Sequence, residues 1–499
     1  MAASINVTVP AVASLPPTAP VVAKAPEAAP PTDSAVLSRG IGADDVVYFP
    51  LTDRFYRGNK DSKVDVNPND PLSFHGGDLQ GLAQKADYVK SLGATVLWLA
   101  PFMQNTQKFD SGDYHAQGYH GYWITNHEKV EAHQGTEADL ENTVKTYHDK
   151  GIKVVADIVL NQVGFDHPWT SDPTKKDWFH HEGGIQNYDD QHQVENGDLG
   201  GLPDLNQDNP EVYKYLLKNT ADWVKKLDLD GVRLDAVKHV SKRFWKTFVP
   251  DLKQAVGKPD LFVLGEVFKG DPTYLADYQK VGLDHVFDIP LRDTMVDVFG
   301  NDHSMKELGA RLAQDKEYED PNKMVTLMDN HDLPRFISAS QGDFDARLQR
   351  TELATAFLDT VRGIPSFYYG DENALEGGSD PDNRRDMDFD RKPEVRAYFT
   401  KLLDIRAHND SLRHGKQLEL LDDDQVYAFA RRTDKEEAIC VFNNAPDSEK
   451  RQIPLHEGSS LADGTVLVDQ ISGREFAVKD GRVDVDMPGR SPLILTKKA

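Results

Sequence analysis

At 499 residues the chain is long enough for one large domain and a smaller one, and it can bury an extensive core without staples. Its single cysteine, Cys440, excludes internal disulfides and thiolate zinc clusters, so a metal would be held by oxygen and imidazole ligands, with calcium the natural candidate. A formal net charge of −25, from 82 acidic against 57 basic residues, argues against nucleic acid as a partner, because the phosphate backbone would be repelled.

The N-terminal MAASINVTVPAVASLPPTAPVVAKAPEAAPP has no basic start and no continuous apolar core, so it is not a recognisable secretion signal. Its Pro/Ala/Val bias predicts a disordered or extended tail over residues 1–43. No stretch approaches the roughly 20 apolar residues of a membrane span. From residue 44 short apolar runs alternate with amphipathic helical patterns, the expectation for a parallel sheet of βα units. Eight candidate strands follow: DVVYFP (45–50), ATVLWLAP (94–101), IKVVADIVLN (152–161), LDGVRLDA (229–236), LFVLGEVF (261–268), DHVFDIP (284–290), NKMVTLMDN (322–330) and IPSFYYGDE (364–372). Helical patterns such as LQGLAQKADYVKSLG and PEVYKYLLKNTADWVKKL separate most of them. The pattern predicts an α/β (β/α)8 TIM barrel over residues 44–161 and 210–411, with an inserted domain at 162–209 after strand three. From residue 412 the period becomes two in DQVYAFARRT, EEAICVFNN, GTVLVDQI, GRVDVDMP and SPLILTKK, which predicts a C-terminal antiparallel β-sandwich domain over 412–499. No internal repeat is evident.

A barrel of this type does its chemistry at the C-terminal ends of its strands. Strand three ends in Asp157 and Asn161, strand four in Arg233 and Asp235, strand five in Glu266, and strand seven in Asn330, His331 and Asp332. Arg233 and Asp235 share one face of their strand while Val232, Leu234 and Ala236 fill the other, and burying such a pair is costly unless it is hydrogen-bonded or functional. A structural salt bridge is the plain alternative. Parallel strands lie about 4.8 Å apart, so carboxylates ending strands four and five fall near the roughly 5–5.5 Å separation of a retaining glycosidase. A metal cluster is the competing reading, and it needs more flanking ligands than Glu266 has in LGEVF.

GVRLDAVKH, LGEVF and MDNHD, preceded by DIVLN and followed by GIPSFYYGDE, resemble the ordered signature segments of the α-amylase superfamily, glycoside hydrolase family thirteen. The resemblance runs from about residue 45 to the C-terminus, and its closest flavour is the α-amylase and cyclodextrin-glucanotransferase branch. It implies a B domain protruding after strand three, a β-sandwich C domain, and three catalytic acids: Asp235 as nucleophile, Glu266 as general acid/base and Asp332 as transition-state stabiliser. Arg233 beside Asp235 is expected to keep that carboxylate ionised and lower its pKa. Glu266, with no adjacent cation in sequence, is expected to hold a proton more easily. Asp157 is a plausible second partner for Arg233.

The same resemblance implies substrate contacts from His120 and Tyr122 in YHGYW, from His331, from Asp380 and Arg384 in SDPDNRR, and from Lys238 and His239 on the leaving-group side. One position departs: DIVLNQ has Gln162 where the family has a sugar-contacting histidine, and an amide cannot become cationic. For calcium the resemblance points to Asn161, Asp204 and the backbone carbonyl of His239. Asn59, Asp61 and Asp78 suggest a second site, although Arg57 stands where a ligand is common and solvated Asn/Asp turns are the plain alternative.

The expected function is a retaining α-amylase hydrolysing α-1,4-glucosidic bonds of starch, maltodextrin or maltooligosaccharides, acting as a monomer. A 4-α-glucanotransferase or a cyclodextrin- or maltodextrin-acting enzyme using the same site is the alternative, and an inactive glucan-binding relative is disfavoured because all three acids are kept. Starch cannot enter a cell, which leans towards an extracellular or periplasmic enzyme with any signal absent from this chain, while an enzyme acting on maltodextrin can be cytosolic.

Overall fold

A computed structural model describes Leu37 and residues 39–498. Most of the tail expected over residues 1–43 lies outside the described residues. All eight expected barrel strands form, shorter than their apolar runs: β1 Val47–Phe49, β2 Val96–Leu99, β3 Lys153–Ile158, β4 Gly231–Leu234, β5 Phe262–Gly265, β6 His285–Val286, β7 Val325–Leu327 and β8 Ile364–Tyr368. They pair in parallel in the order β6-β5-β4-β3-β2-β1-β8-β7, and a parallel bridge between Phe287 and Val325 draws the two ends together. Each strand is buried along almost its whole length, because the helices outside and the side chains inside cover both faces.

Helix starts are written in the sequence as side-chain caps. Asn209 accepts from the Glu211 N–H before the helix Pro210–Lys226. Thr136 and Asp139 form a reciprocal capping box before Glu137–Asp149. These caps satisfy N–H groups that the first turn of a helix leaves without partners.

Two excursions interrupt the βα rhythm. The one after β3 carries only short helices, Pro168–Ser171, Pro173–Trp178, Gln191–Asn196 and Leu199–Gly201. The other, after β2, forms two small antiparallel ribbons that the apolar pattern did not signal: Met103–Asn105 pairs with Ile124–Val130, and Phe109–Ser111 with Tyr114–Ala116. The strands of the second ribbon are three residues each and mostly exposed, too short for a period-two apolar run to mark them.

The C-terminal sheet has eight strands rather than the five read from the sequence. These are β9 Lys416–Asp422, β10 Val426–Arg432, β11 Glu437–Asn443, β12 Glu449–Pro454, β13 Val466–Asp469, β14 Glu475–Lys479, β15 Arg482–Met487 and β16 Ser491–Lys497. They pair antiparallel in the order β9-β10-β11-β16-β13-β14-β15-β12. Two of the three unforeseen strands, β9 and β12, are the edges, where charged side chains interrupt the apolar alternation. Alternation in β10 and β11 serves two cores at once. Val426, Ala428, Ile439 and Val441 face the C-terminal cluster, while Tyr427, Phe429, Cys440 and Phe442 join the barrel core. Among the described residues no helix is long and apolar enough to cross a membrane.

Candidate active site

Strand register assembles the site. Asp157 of β3 lies abreast of Arg233 of β4, and Leu234 lies abreast of Gly265, so the residues that follow each strand, Asp235 and Glu266, emerge side by side. The turn after β4 is tight: Ala236 takes a positive φ of 49°, and its N–H donates to Glu266 Oε2 at 3.0 Å.

Arg233 is fully buried at the centre of three carboxyl groups. Its Nη1 donates to Asp157 Oδ1 at 2.8 Å and to Asp235 Oδ1 at 2.7 Å. Its Nη2 lies 2.7 Å from Glu266 Oε1, an ion-pair contact without hydrogen-bond alignment. Glu266 therefore does have a neighbouring cation, supplied across the β4–β5 ladder where sequence adjacency could not show it.

The expected lowering of the Asp235 pKa is not found. Burial pushes that carboxyl well above the usual range; Arg233 opposes the shift, and Glu266 and Asp157 add to it. Burial likewise raises Glu266, with Asp332 adding, and lifts Asp157 to about 6 against the pull of Arg233. One guanidinium shared by three buried carboxyl groups favours a proton on one of them.

Asp157 is itself fixed by three donors. Besides Arg233, Tyr122 Oη donates to its Oδ2 at 2.8 Å and Trp98 Nε1 at 3.0 Å. Trp98 was missed from the sequence because it sits inside an apolar strand and reads as core. Tyr122 also stacks on His331, rings 4.9 Å apart and 5° from parallel. His120 joins them, its Nδ1 accepting from the Tyr122 N–H at 3.0 Å. Gly121 makes this turn possible: its φ is +95°, and a Cβ there would meet the Pro101 carbonyl oxygen at 2.5 Å. Burial holds both His120 and His331 well below the usual histidine range, and Arg384 adds to it in each, so both imidazoles are neutral.

Asp332 stands on the far side, half-exposed, its Oδ1 accepting from Arg384 Nη2 at 3.1 Å. Arg384 also pairs with Asp380 at 3.1 Å and donates through Nε to the His331 carbonyl at 2.9 Å. Asn383, another residue the sequence did not flag, donates to the carbonyls of His331 and Leu333 and so clamps the segment carrying Asp332. Lys238 lies beside Glu266, and its Nζ donates to the Phe268 carbonyl at 2.8 Å.

At the root of the insertion, Asn161 and Asp204 are buried. Both side-chain polar atoms of Asn161 and Asp204 Oδ1 lack hydrogen-bond partners, while Asp204 Oδ2 meets His180 Nδ1 at 2.6 Å. Burial lifts the Asp204 pKa to about 7. His239 Nδ1 donates to the Val194 carbonyl at 3.0 Å, fastening the insertion to the end of β4. Gln162 is buried beside them, its Nε2 3.5 Å from the Tyr122 carbonyl and its Oε1 unpartnered.

Asn59, Asp61 and Asp78 behave differently. The Asp78 carboxylate accepts the N–H groups of Gly58, Asn59 and Gly81, and Asn59 Oδ1 accepts that of Asp61. The Asp78 carboxylate and Asn59 Oδ1 are thus occupied in capping a helix and a turn, whereas Asp61 enters these contacts only through its N–H.

The sequence model of the family described as "Alpha amylase, catalytic domain" matches residues 49–417. The beta/alpha-amylase of Paenibacillus polymyxa is 36% identical over 467 positions, covering 90% of this chain but 38% of its own length, so the chain spans well under half of that relative. The cyclomaltodextrin glucanotransferase of Klebsiella oxytoca is 30% identical over 463 positions, covering 80% of this chain and 70% of that protein. A solved α-amylase from Anoxybacillus superposes with a TM-score of 0.84 at 39% identity, covering 91% of this chain and 98% of the other. The chain belongs to the α-amylase family of glycoside hydrolases, its barrel corresponding to the family's catalytic domain.

Proposed function

We propose that the chain is a retaining α-amylase that hydrolyses α-1,4-glucosidic bonds of starch and maltooligosaccharides. The observation that carries this reading is the single guanidinium of Arg233 spanning Asp235 and Glu266, which holds two carboxyl groups close together on one rim. Such closeness suits direct attack by a carboxylate and leaves little room for a water between the acid and the sugar.

Asp235 receives the aligned hydrogen bond from Arg233, whereas the Glu266 contact is misaligned. The proton favoured on the cluster therefore belongs on Glu266 in the productive form. Asp235 attacks the anomeric carbon, the glucosidic C–O bond breaks, and Glu266 gives its proton to the departing oxygen. Glu266 then takes a proton from water, whose oxygen displaces Asp235 from the same carbon, so the anomeric configuration is retained. Asp332, held by Arg384, supplies negative charge opposite the positive character that develops on the sugar ring. Tyr122 and the neutral His331 and His120 offer a ring face and hydrogen-bonding edges to the reacting glucose.

Calcium fits the residues at the root of the insertion. Unpartnered buried oxygens on Asn161 and Asp204 suit a hard cation, and a bound dication would keep Asp204 ionised despite its burial. Asn161, Asp204 and the His239 carbonyl would hold it, and its contribution is to tie the insertion to the barrel.

The glucanotransferase alternative uses the same acids with a sugar hydroxyl in place of water, and the Klebsiella relative keeps it in view. A chromatographic time course on maltoheptaose separates the two. Hydrolysis predicts shorter products throughout; longer chains at early times would overturn it in favour of transfer.

A further inference from the structure

Two acids in the motifs at the ends of β7 and β8 have no part in the chemistry above: Asp329, which stands first among the polar residues of MDNHD, and Asp371 of GDE. Both are buried, where a carboxyl group is costly unless its oxygens are engaged.

Asp329 engages its own loop. Its Oδ2 accepts the Phe336 N–H at 2.6 Å, so one side chain joins the start of the segment after β7 to its end. Between the two lie Asn330, His331 and Asp332, and within the closed loop the Asp332 N–H donates to Asn330 Oδ1 at 2.9 Å. The Asp332 carboxylate is half-exposed and touches Arg384 and His331, so its aim depends on the backbone that carries it.

Arg335, the residue before Phe336, ties that backbone to β8. It is fully buried, with its guanidinium 3.8 Å from the Tyr368 ring centroid. Nη1 donates to the Tyr369 carbonyl at 2.6 Å and to Asp371 Oδ1 at 3.3 Å, and Asp329 Oδ1 lies 3.9 Å from the same nitrogen. Asp371 is itself fixed, its Oδ2 accepting the Tyr368 N–H at 3.1 Å. Arg335 Nε donates to the carbonyl of Asn383, the residue that grips the carbonyls of His331 and Leu333. The guanidinium thus holds the Asp332 segment by two routes, its own backbone and Asn383. Burial raises the pKa of both Asp329 and Asp371 against the pull of Arg335, and the charge of Asp329 adds to the rise in Asp371. One guanidinium beside two buried carboxyl groups favours a proton on one of them, which leaves the anchor neutral.

We propose that Asp329 and Arg335 are positioning residues that aim Asp332 at the charge developing on the sugar, with Asp371 as their anchor on β8. This rests on the amylase reading above and gives it two residues that act through Asp332. Neither needs to touch the substrate.

The test is a double-mutant cycle on the full chain, read as turnover of maltoheptaose to any product, so that hydrolysis and transfer count alike. Asp329→Ala and Arg335→Lys are each expected to lower kcat by about 10- to 100-fold with KM changed by less than about threefold, because a group that stabilises the transition state is misaimed while ground-state binding is kept. The lysine retains a cation but cannot reach Tyr369, Asn383 and Asp371 together. Asp329→Asn keeps an oxygen able to accept the Phe336 N–H, and its kcat should lie within about threefold of the wild type. In an Asp332→Asn background, assayed at raised enzyme concentration, Asp329→Ala and Arg335→Lys should each cost less than about twofold more, since nothing is left for them to aim. Equal losses in both backgrounds, a loss in KM in place of kcat, failure of Asp329→Asn to restore kcat, or no loss at all would each overturn the proposal. Melting temperatures report folding, and should Asp329→Ala not fold, Arg335→Lys carries the cycle. A folded wild type that turns over no maltoheptaose would sink the amylase reading and this proposal with it, whereas an active wild type without the coupling to Asp332 would sink the proposal alone.

Discussion

Arg233 and Glu266 face each other across the β4–β5 ladder, Nη2 to Oε1 at 2.7 Å, although 33 positions separate them in sequence. The contact makes one guanidinium responsible for the placement and the charge of both carboxyl groups proposed to react. Replacing Arg233 by Lys keeps a cation but loses the planar fork, and a single ammonium cannot reach Asp157, Asp235 and Glu266 together. Turnover of maltoheptaose by Arg233→Lys is expected to fall by about 100-fold or more, with the far-ultraviolet dichroism unchanged. Retention of more than a tenth of the activity would show that the fork is dispensable.

Lys238 gives a way to move one ionisation. Its positive charge lowers the Glu266 pKa, so Lys238→Met should raise it further. Glu266 must carry a proton to act as the acid, and activity fails on the alkaline side when that proton is lost. The alkaline limb of kcat/KM against pH is therefore expected to move to higher pH in this variant, with the acid limb in place. A shift to lower pH would contradict the assignment of Glu266 as proton donor.

How much of this was legible in the sequence depends on whether a residue's role is local. All eight barrel strands were, because burial on both faces writes itself as an uninterrupted apolar run. Asp235, Glu266 and Asp332 were placed by strand ends and by ordered motifs, and the register brings Asp235 beside Glu266 as parallel spacing requires. What stayed hidden is set across the sheet or by burial. The Arg233 contact to Glu266 needs the register of two strands, and the rise in the Asp235 pKa follows from the loss of water, which adjacency to Arg233 cannot reveal. Trp98 and Asn383 were invisible for another reason: each has a role only through the partner that folding brings to it, Asp157 for one and the His331 carbonyl for the other.

The unpartnered oxygens of Asn161 and Asp204 predict a stabilising cation. Adding calcium to chelator-treated protein should raise the melting temperature by several degrees at concentrations well above the dissociation constant. Asn161→Ala should abolish that response. Magnesium, which demands a tighter octahedron, should be a poorer substitute. An identical melting temperature with and without calcium would remove the metal from the account of this site.

Asp359 predicts a stability change far from the chemistry. It lies on the barrel helix Phe344–Thr360, fully buried, and neither carboxyl oxygen has a hydrogen-bond partner. Burial lifts its pKa to about 8, with Arg406 pulling the other way, although Arg406 Nη1 spends its hydrogen bonds on the Asp359 and Leu412 carbonyls. The sign follows from the two states. Below about pH 4 the carboxyl is protonated whether folded or unfolded, and it carries no titration penalty. Between about 4 and 8 the unfolded chain releases the proton while the folded chain keeps it, so stability drains away as pH rises through that window. Asp359→Asn has nearly the same shape and no proton to lose. Its melting temperature is expected to match the wild type at pH 4.5 and to exceed it by a few degrees at pH 7.5, as scanning calorimetry at the two pH values would read. Parallel melting profiles across that range would mean that Asp359 is ionised and paired in the folded protein.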